Sequence, residues 1–281
     1  MIPEISIHNT AGFPKLGLGT WEMGGRSKPD YSRDNLWLKA ITFALESGIR
    51  HIDTAAIYGG GHSEELVGKA IRPYDRSRLL ITTKVSGDKL RYDEVLRSVA
   101  QSLQNLSTDY IDLLLIHWPN PAVPLSETMK AFNRLLDEKT ILYFGLSNFP
   151  VSLIREVMQL TDRPILTNQI EYNVFTRNKG SYNTGMEREI IPFCHEHGIS
   201  ITAWRPVMKG DATLAGQATL AAVGEKYGLS SFQLALNWLC SKPLMMAIPK
   251  MSSEQHIREN IEALSVKLDP EAYALLERMG N

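Results

Sequence analysis

Cysteine is almost missing from this chain: Cys194 and Cys240 are the only two in 281 residues, and they lie far apart without CxxC spacing. That excludes a disulfide framework and a cysteine zinc site, and it implies a reducing compartment. Charge excess is missing as well. With 30 basic and 31 acidic residues the formal net charge is -1, so no global field draws the chain to nucleic acid or to an anionic membrane. No apolar run approaches the roughly 18 residues of a membrane span. The opening Met1-Ile2-Pro3-Glu4 has neither a basic n-region nor an apolar h-region, and the expectation is a cytoplasmic protein without a membrane partner. No GxGxxG follows the first strand-like run, which leaves a Rossmann fold without its fingerprint. No low-complexity tract or long charge block breaks the chain, so residues 1–281 are read as one domain. The expected assembly is a monomer or weak homo-oligomer.

What is present is an alternation of strands and helices. Hydrophobic residues make up 43% and charged residues 22%, an ordinary globular balance. Residues 4 to 15 read as a hairpin turning at Asn9-Thr10-Ala11-Gly12. Strand-like runs then cover 16–21, 49–53, 79–83, 111–116, 141–146, 165–170, 199–204 and 244–248. Helical spacing separates them. A helix over 34–47 stops at Gly48, and Val95, Leu96, Val99, Leu103 and Leu106 mark one face of another. Ser63 is expected to cap a helix whose first turn holds Glu64 and Glu65, and Asp269-Pro270 starts the last one. Eight strand-like runs in a chain of this length predict an α/β fold, a (β/α)8 TIM barrel with an N-terminal β-hairpin and additional C-terminal helices.

The strands end on unusual residues. Asp53 closes one apolar run and Tyr58 follows it closely, Lys84 closes the next, and His117 the next. An acid, a phenol, an amine and an imidazole form a proton-transfer set if they meet. Taken singly, Asp53 reads as a turn residue, Lys84 as a surface charge and His117 as a satisfied core histidine; their corresponding places in a repeating pattern weigh against three accidents. The C-terminal strand ends of such a barrel form its active face, and there stand Trp21, Asp53, Lys84, His117, Asn148, Gln169, Trp204 and Lys250. Trp21 and Trp118, beside strand ends, are assigned to a pocket. Gly59 to Gly61 read as a flexible loop rather than a phosphate cradle, and His195 and His197, two apart on a helix, do not make a metal pair.

These residues carry a resemblance to the aldo-keto reductases. LGLGTW at 16–21, HIDTAAIYGG at 51–60, ITTKV at 81–85, YIDLLLIHWP at 110–119, GLSNF at 145–149, NQIEYN at 168–173, IPK at 248–250 and EN at 259–260 match in order over nearly the whole chain. The resemblance implies reversible hydride transfer between NADPH and a small carbonyl or alcohol substrate, without a metal. It implies a tetrad of Asp53, Tyr58, Lys84 and His117, with Tyr58 as the acid that protonates the carbonyl oxygen, Lys84 lowering the Tyr58 pKa, Asp53 holding Lys84, and His117 orienting the carbonyl. A cation about 4 Å from a phenol contributes about 4 kcal/mol at an effective dielectric near 20, of the order of three pK units.

By the same resemblance Ser147, Asn148 and Gln169 meet the nicotinamide carboxamide. Trp204 stacks on its ring where a tyrosine is usual, Lys250 meets the 2'-phosphate with Ser252 and Ser253, and Glu259 and Asn260 contact adenine. Thr20, Trp21, Asp53, Arg205 and Pro206 complete the expected cofactor set, and Trp21, Tyr58, His117 and Trp118 the substrate pocket. His256 stands where NADP-preferring members usually have arginine. A histidine is only partly charged near neutrality, which leaves NADH use open. Arg205 replaces a common serine and reaches either the diphosphate or an ion-pair partner. The sequence ends soon after its last helix, so an open pocket shaped by Trp21, Trp118 and the loops around 119–125 and 205–216 is expected. Two other classes compete: a cofactor-binding regulatory subunit with little turnover, and an aldolase using Lys84 as a Schiff-base nucleophile.

Overall fold

A computed structural model describes residues 2–8, 12–207 and 214–279. Strands β1 (Glu4–Ile5) and β2 (Phe13–Pro14) pair antiparallel, with Ile5 opposite Phe13. The expected turn falls largely on residues 9–11, outside the described residues. Eight parallel strands follow: β3 (Gly17–Gly19), β4 (His51–Asp53), β5 (Leu80–Val85), β6 (Ile111–Ile116), β7 (Ile141–Ser147), β8 (Ile165–Glu171), β9 (Ser200–Trp204) and β10 (Met245–Ala247). They pair in sequence order. A parallel bridge from Leu16 to Ala247, with Gly19 N–H donating to Pro249 O at 3.0 Å, joins first to last, so the sheet forms the expected barrel.

Ten helices surround these strands among the described residues: α1 (Asp34–Glu46), α2 (His62–Ile71), α3 (Tyr92–Leu106), α4 (Leu125–Asp137), α5 (Val151–Gln159), α6 (Ile191–Glu196), α7 (Leu214–Tyr227), α8 (Ser231–Ser241), α9 (Glu254–Ala263) and α10 (Pro270–Arg278). A π turn at Met186–Ile190 leads into α6. None is long and apolar enough to cross a membrane.

The apolar periodicity explains this placement. Val95, Val99 and Leu106 of α3 are buried on the face that meets the sheet, and each such side chain contributes about 1.5–3 kcal/mol of burial. Helix ends follow the local chemistry. Gly48 takes φ +90° just beyond α1, and Asp269 caps α10 by accepting from Ala272 N–H at 2.8 Å. Ser63 does not cap α2. It lies inside the first turn, and its hydroxyl donates to Thr20 Oγ1 at 2.8 Å.

A second apolar cluster fills the barrel's lower interior. Leu80, Leu113, Leu115, Leu166 and Met246 pack there with Ile7 and Phe13 from the hairpin segment. Phe13 meets Tyr143 edge-on at 5.6 Å. Among the described residues the hairpin segment thus packs against the N-terminal end of the barrel, and the cleft opens at the strand C-termini.

Candidate active site

The C-terminal ends of the strands surround one cleft of about 740 Å³, lined directly by Gly19, Asp53, Ser147 and Trp204, the last residues of β3, β4, β7 and β9. Parallel register sets the depth: Asp53 lies level with Gly19 and Thr82, Lys84 with Leu115, and Ser147 with Gln169. Trp21, Asp53, Tyr58, His117, Trp118, Ser147, Asn148, Gln169, Trp204, Arg205, Pro206 and Lys250 all line the cleft. Lys84 is held below its floor, 1% exposed.

The four chemistry-bearing residues meet. Lys84 Nζ donates to Asp53 Oδ1 at 2.5 Å, to Thr54 O at 2.7 Å and to Tyr58 Oη at 3.4 Å. The His117 ring lies 5.7 Å from that of Tyr58, and Trp21 packs edge-on against Tyr58 at 4.8 Å. Tyr58 opens a left-handed turn in which Gly59, Gly60 and Gly61 all have positive φ. A Cβ on Gly59 would sit 2.3 Å from Gly24 O, so the close approach of the two loops requires glycine at this position.

Electrostatics assigns the protonation states. Burial pushes the Tyr58 phenol up, and Lys84 pulls against it without prevailing. Lys84 acts in the expected direction and lowers the phenol's pKa, but the enclosure that holds the pair together disfavours the phenolate and outweighs it. Burial also works against the Lys84 charge, but Asp53 and Tyr58 outweigh it and hold its pKa above the ordinary lysine value. A protonated amine has no lone pair for Schiff-base attack, and a pKa raised above the ordinary lysine value disfavours the aldolase chemistry. His117 is driven well below the usual imidazole value by burial and by Lys84. It is neutral near pH 7, with Nδ1 buried and unpartnered.

The polar floor suits a carboxamide. Gln169 uses its amide nitrogen on Asp53 Oδ2 at 2.8 Å, which leaves its amide oxygen to accept from a ligand. Ser147 Oγ accepts from Asn148 Nδ2 at 2.9 Å and keeps its own hydrogen to donate. Asn148, at φ +62°, also accepts from Trp204 Nε1 at 3.1 Å, so the indole is fixed as a wall beside these amides. An acceptor, a hydroxyl donor and a flat aromatic face thus converge, as a nicotinamide requires.

Other expected residues fall elsewhere. Thr20 is fully buried and does not line the cleft; its hydroxyl donates to Asp53 O at 3.0 Å and supports the floor from behind. Ser252, Ser253, His256, Glu259 and Asn260 stand beyond the cleft lining. Ser253 caps α9 by accepting from His256 N–H at 3.2 Å, and Glu259 accepts from Gln255 Nε2 at 2.7 Å. Arg205 forms the ion pair, reaching Glu171 at 3.0 Å.

One wall of the cleft has no periodic signal in the sequence. Tyr182 is 60% exposed yet stands 4.3 Å from Trp118 and 5.8 Å from Trp204, ring to ring, across the cleft. Its loop is pinned where Ser181 N–H donates to Glu171 Oε2 at 2.6 Å. The available signal was length: a long connection between a strand end and a helix on the active face is commonly functional.

Residues 15–281 match the Aldo/keto reductase family, and the chain belongs to it. Among solved structures it resembles a thermostable aldo-keto reductase in complex with the inhibitor epalrestat, with TM-score 0.93 and 39% identity over 99% of this chain and 98% of that one. It also resembles an aldo-keto reductase from Klebsiella pneumoniae in complex with NADPH, with TM-score 0.88 and 30% identity over 99% and 95% of the two chains. A methylglyoxal reductase of Escherichia coli O157:H7 is 32% identical over 92% of this chain and 90% of its own. The chain is thus an oxidoreductase of a family that reduces carbonyls and uses NADP(H).

Proposed function

We propose that this protein reduces small aldehydes and ketones with NADPH, with Tyr58 as the general acid. The observation that carries the proposal is the chain Tyr58–Lys84–Asp53, linked at 3.4 and 2.5 Å and roofed by the cleft. NADPH, when bound, supplies the hydride that reduces the carbonyl carbon. The protein's part is to hold and protonate. Tyr58, kept protonated by burial, donates its proton to the carbonyl oxygen as negative charge develops there. Lys84 stabilises the phenolate left behind, and Asp53 fixes Lys84 in place. Neutral His117 offers a hydrogen bond that orients the carbonyl beside the phenol.

Ser147, Asn148 and Gln169 hold the carboxamide and Trp204 faces the ring, with Trp21, Arg205 and Pro206 alongside. Lys250 meets the 2'-phosphate at the cleft edge, and Ser252, Ser253, His256, Glu259 and Asn260 continue that end of the site. Trp21, Trp118 and Tyr182 form the apolar side where the carbonyl's substituent lies. The aldehyde preference draws support from the methylglyoxal reductase relative.

We also read residues 1–281 as one domain, cytoplasmic, and a monomer or weak homo-oligomer. Cys194 and Cys240 are both buried, with thiols pushed up to about 12 by burial, as suits unreactive packing residues. The test is direct. Purified protein given a panel of short aldehydes oxidises NADPH, and NADH more weakly. Tight NADPH binding with no turnover on any member would contradict the proposal and favour a regulatory role.

A further inference from the structure

The residue proposed to receive the 2'-phosphate is already engaged. Lys250 Nζ lies 2.9 Å from Glu22 Oε2, while Glu22 Oε1 is 3.3 Å from Arg26 Nε, and all three side chains line the cleft. Glu22 follows β3 and Lys250 follows β10, so the pair spans the seam where the barrel closes. Glu22 is held at φ +68°, a backbone conformation unusual for glutamate. The side chains of Glu22 and Lys250 are 30% and 35% exposed, so a ligand reaching Lys250 from the cleft also reaches Glu22.

We propose that Glu22 sets cofactor preference by competing with the 2'-phosphate for Lys250. The proposal rests on the NADPH reading of the cleft. A phosphomonoester brings close to two negative charges at neutral pH and must displace the carboxylate or lie beside it. An adenosine with a free 2'-hydroxyl leaves the Glu22–Lys250 pair intact. The ion pair therefore lowers affinity for the phosphorylated dinucleotide selectively, in the same direction as His256 standing where an arginine is usual. The consequence is dual use of NADPH and NADH.

Calorimetric titration of the whole protein with adenosine 2',5'-bisphosphate and with AMP isolates the contribution of the 2'-phosphate. Glu22→Gln should tighten the bisphosphate about three- to fivefold, the upper range for a partly exposed ion pair, and leave AMP unchanged. The gain should shrink with added salt and vanish in a Lys250→Met background. Equal changes for both ligands, or weaker bisphosphate binding in Glu22→Gln, would overturn the inference and make Glu22 a positioning residue for Lys250. Titration with NADP+ and NAD+ separates dinucleotide binding itself from the part Glu22 plays in it. If the wild-type protein binds neither dinucleotide, the reductase reading itself fails; if it binds both and Glu22→Gln leaves their ratio unaltered, only the role of Glu22 fails.

Discussion

Tyr58 is a weak acid made weaker by burial, and that suits one direction of the reaction more than the other. Burial raises its pKa, with Lys84 opposing, so the phenol stays protonated beyond the ordinary value of about 10. Carbonyl reduction needs the phenol, whereas alcohol oxidation needs the phenolate. kcat/KM for reduction is expected to be flat from about pH 6 to about pH 9, because His117, held well below its usual range, does not titrate there either. Oxidation should climb through the same interval. Profiles measured in both directions check this, and a reduction rate that halves near neutrality would show that Lys84 prevails over burial. Lys84 and His117 were legible in the sequence because each closes an apolar run, and Tyr58 because it follows soon after Asp53, which closes another. The balance of burial against charge was not, since it depends on how completely the barrel encloses the phenol, and strand spacing does not report that.

At the scale of elements, the eight strands were readable from their apolar runs, and the register that levels Asp53 with Gly19 and Thr82 followed from parallel pairing. Loops were harder. Ser63 has the residue type and position of a cap, but tertiary contact with Thr20 claims its hydroxyl. The segment carrying Tyr182 has no period to read, and its shape comes from distant partners. Arg177, buried at its base, donates to Glu187 at 2.7 Å and to Glu277 of α10 at 2.9 Å. Arg177→Ala removes a buried cation from between two carboxylates and should cost about 3 kcal/mol in urea unfolding, the lower end for breaking a buried pair because both carboxylates retain some solvent. KM for a bulky aromatic aldehyde should rise as Tyr182 loses its support, while a short aldehyde is little affected. Equal KM changes for both would detach Tyr182 from the substrate wall.

The whole molecule carries a pH dependence of its own. His51 in β4 is wholly buried in the barrel, bonded to Thr82 Oγ1 at 3.0 Å, and burial drives its pKa down to about 4. Because the folded value lies below the unfolded one, its contribution is present above about pH 6.5 and is lost as pH falls toward 4. Between about pH 7.5 and pH 5 this amounts to about 2 kcal/mol. His51→Asn should therefore flatten the fall in unfolding free energy over that interval by about this amount, even where the variant is less stable overall. A wild-type slope retained in the variant would place the acid sensitivity in other groups. The same enclosure that keeps His51 neutral at one end of the barrel keeps Tyr58 protonated at the other, where the proton is to be delivered. Single-turnover hydride transfer with preloaded NADPH, comparing wild type with Tyr58→Phe, tests that delivery most directly. The expected result is a loss of about 10² to 10⁴ in the transfer rate with the NADPH dissociation constant unchanged. A loss of under about threefold would contradict the assignment of Tyr58 as the proton donor.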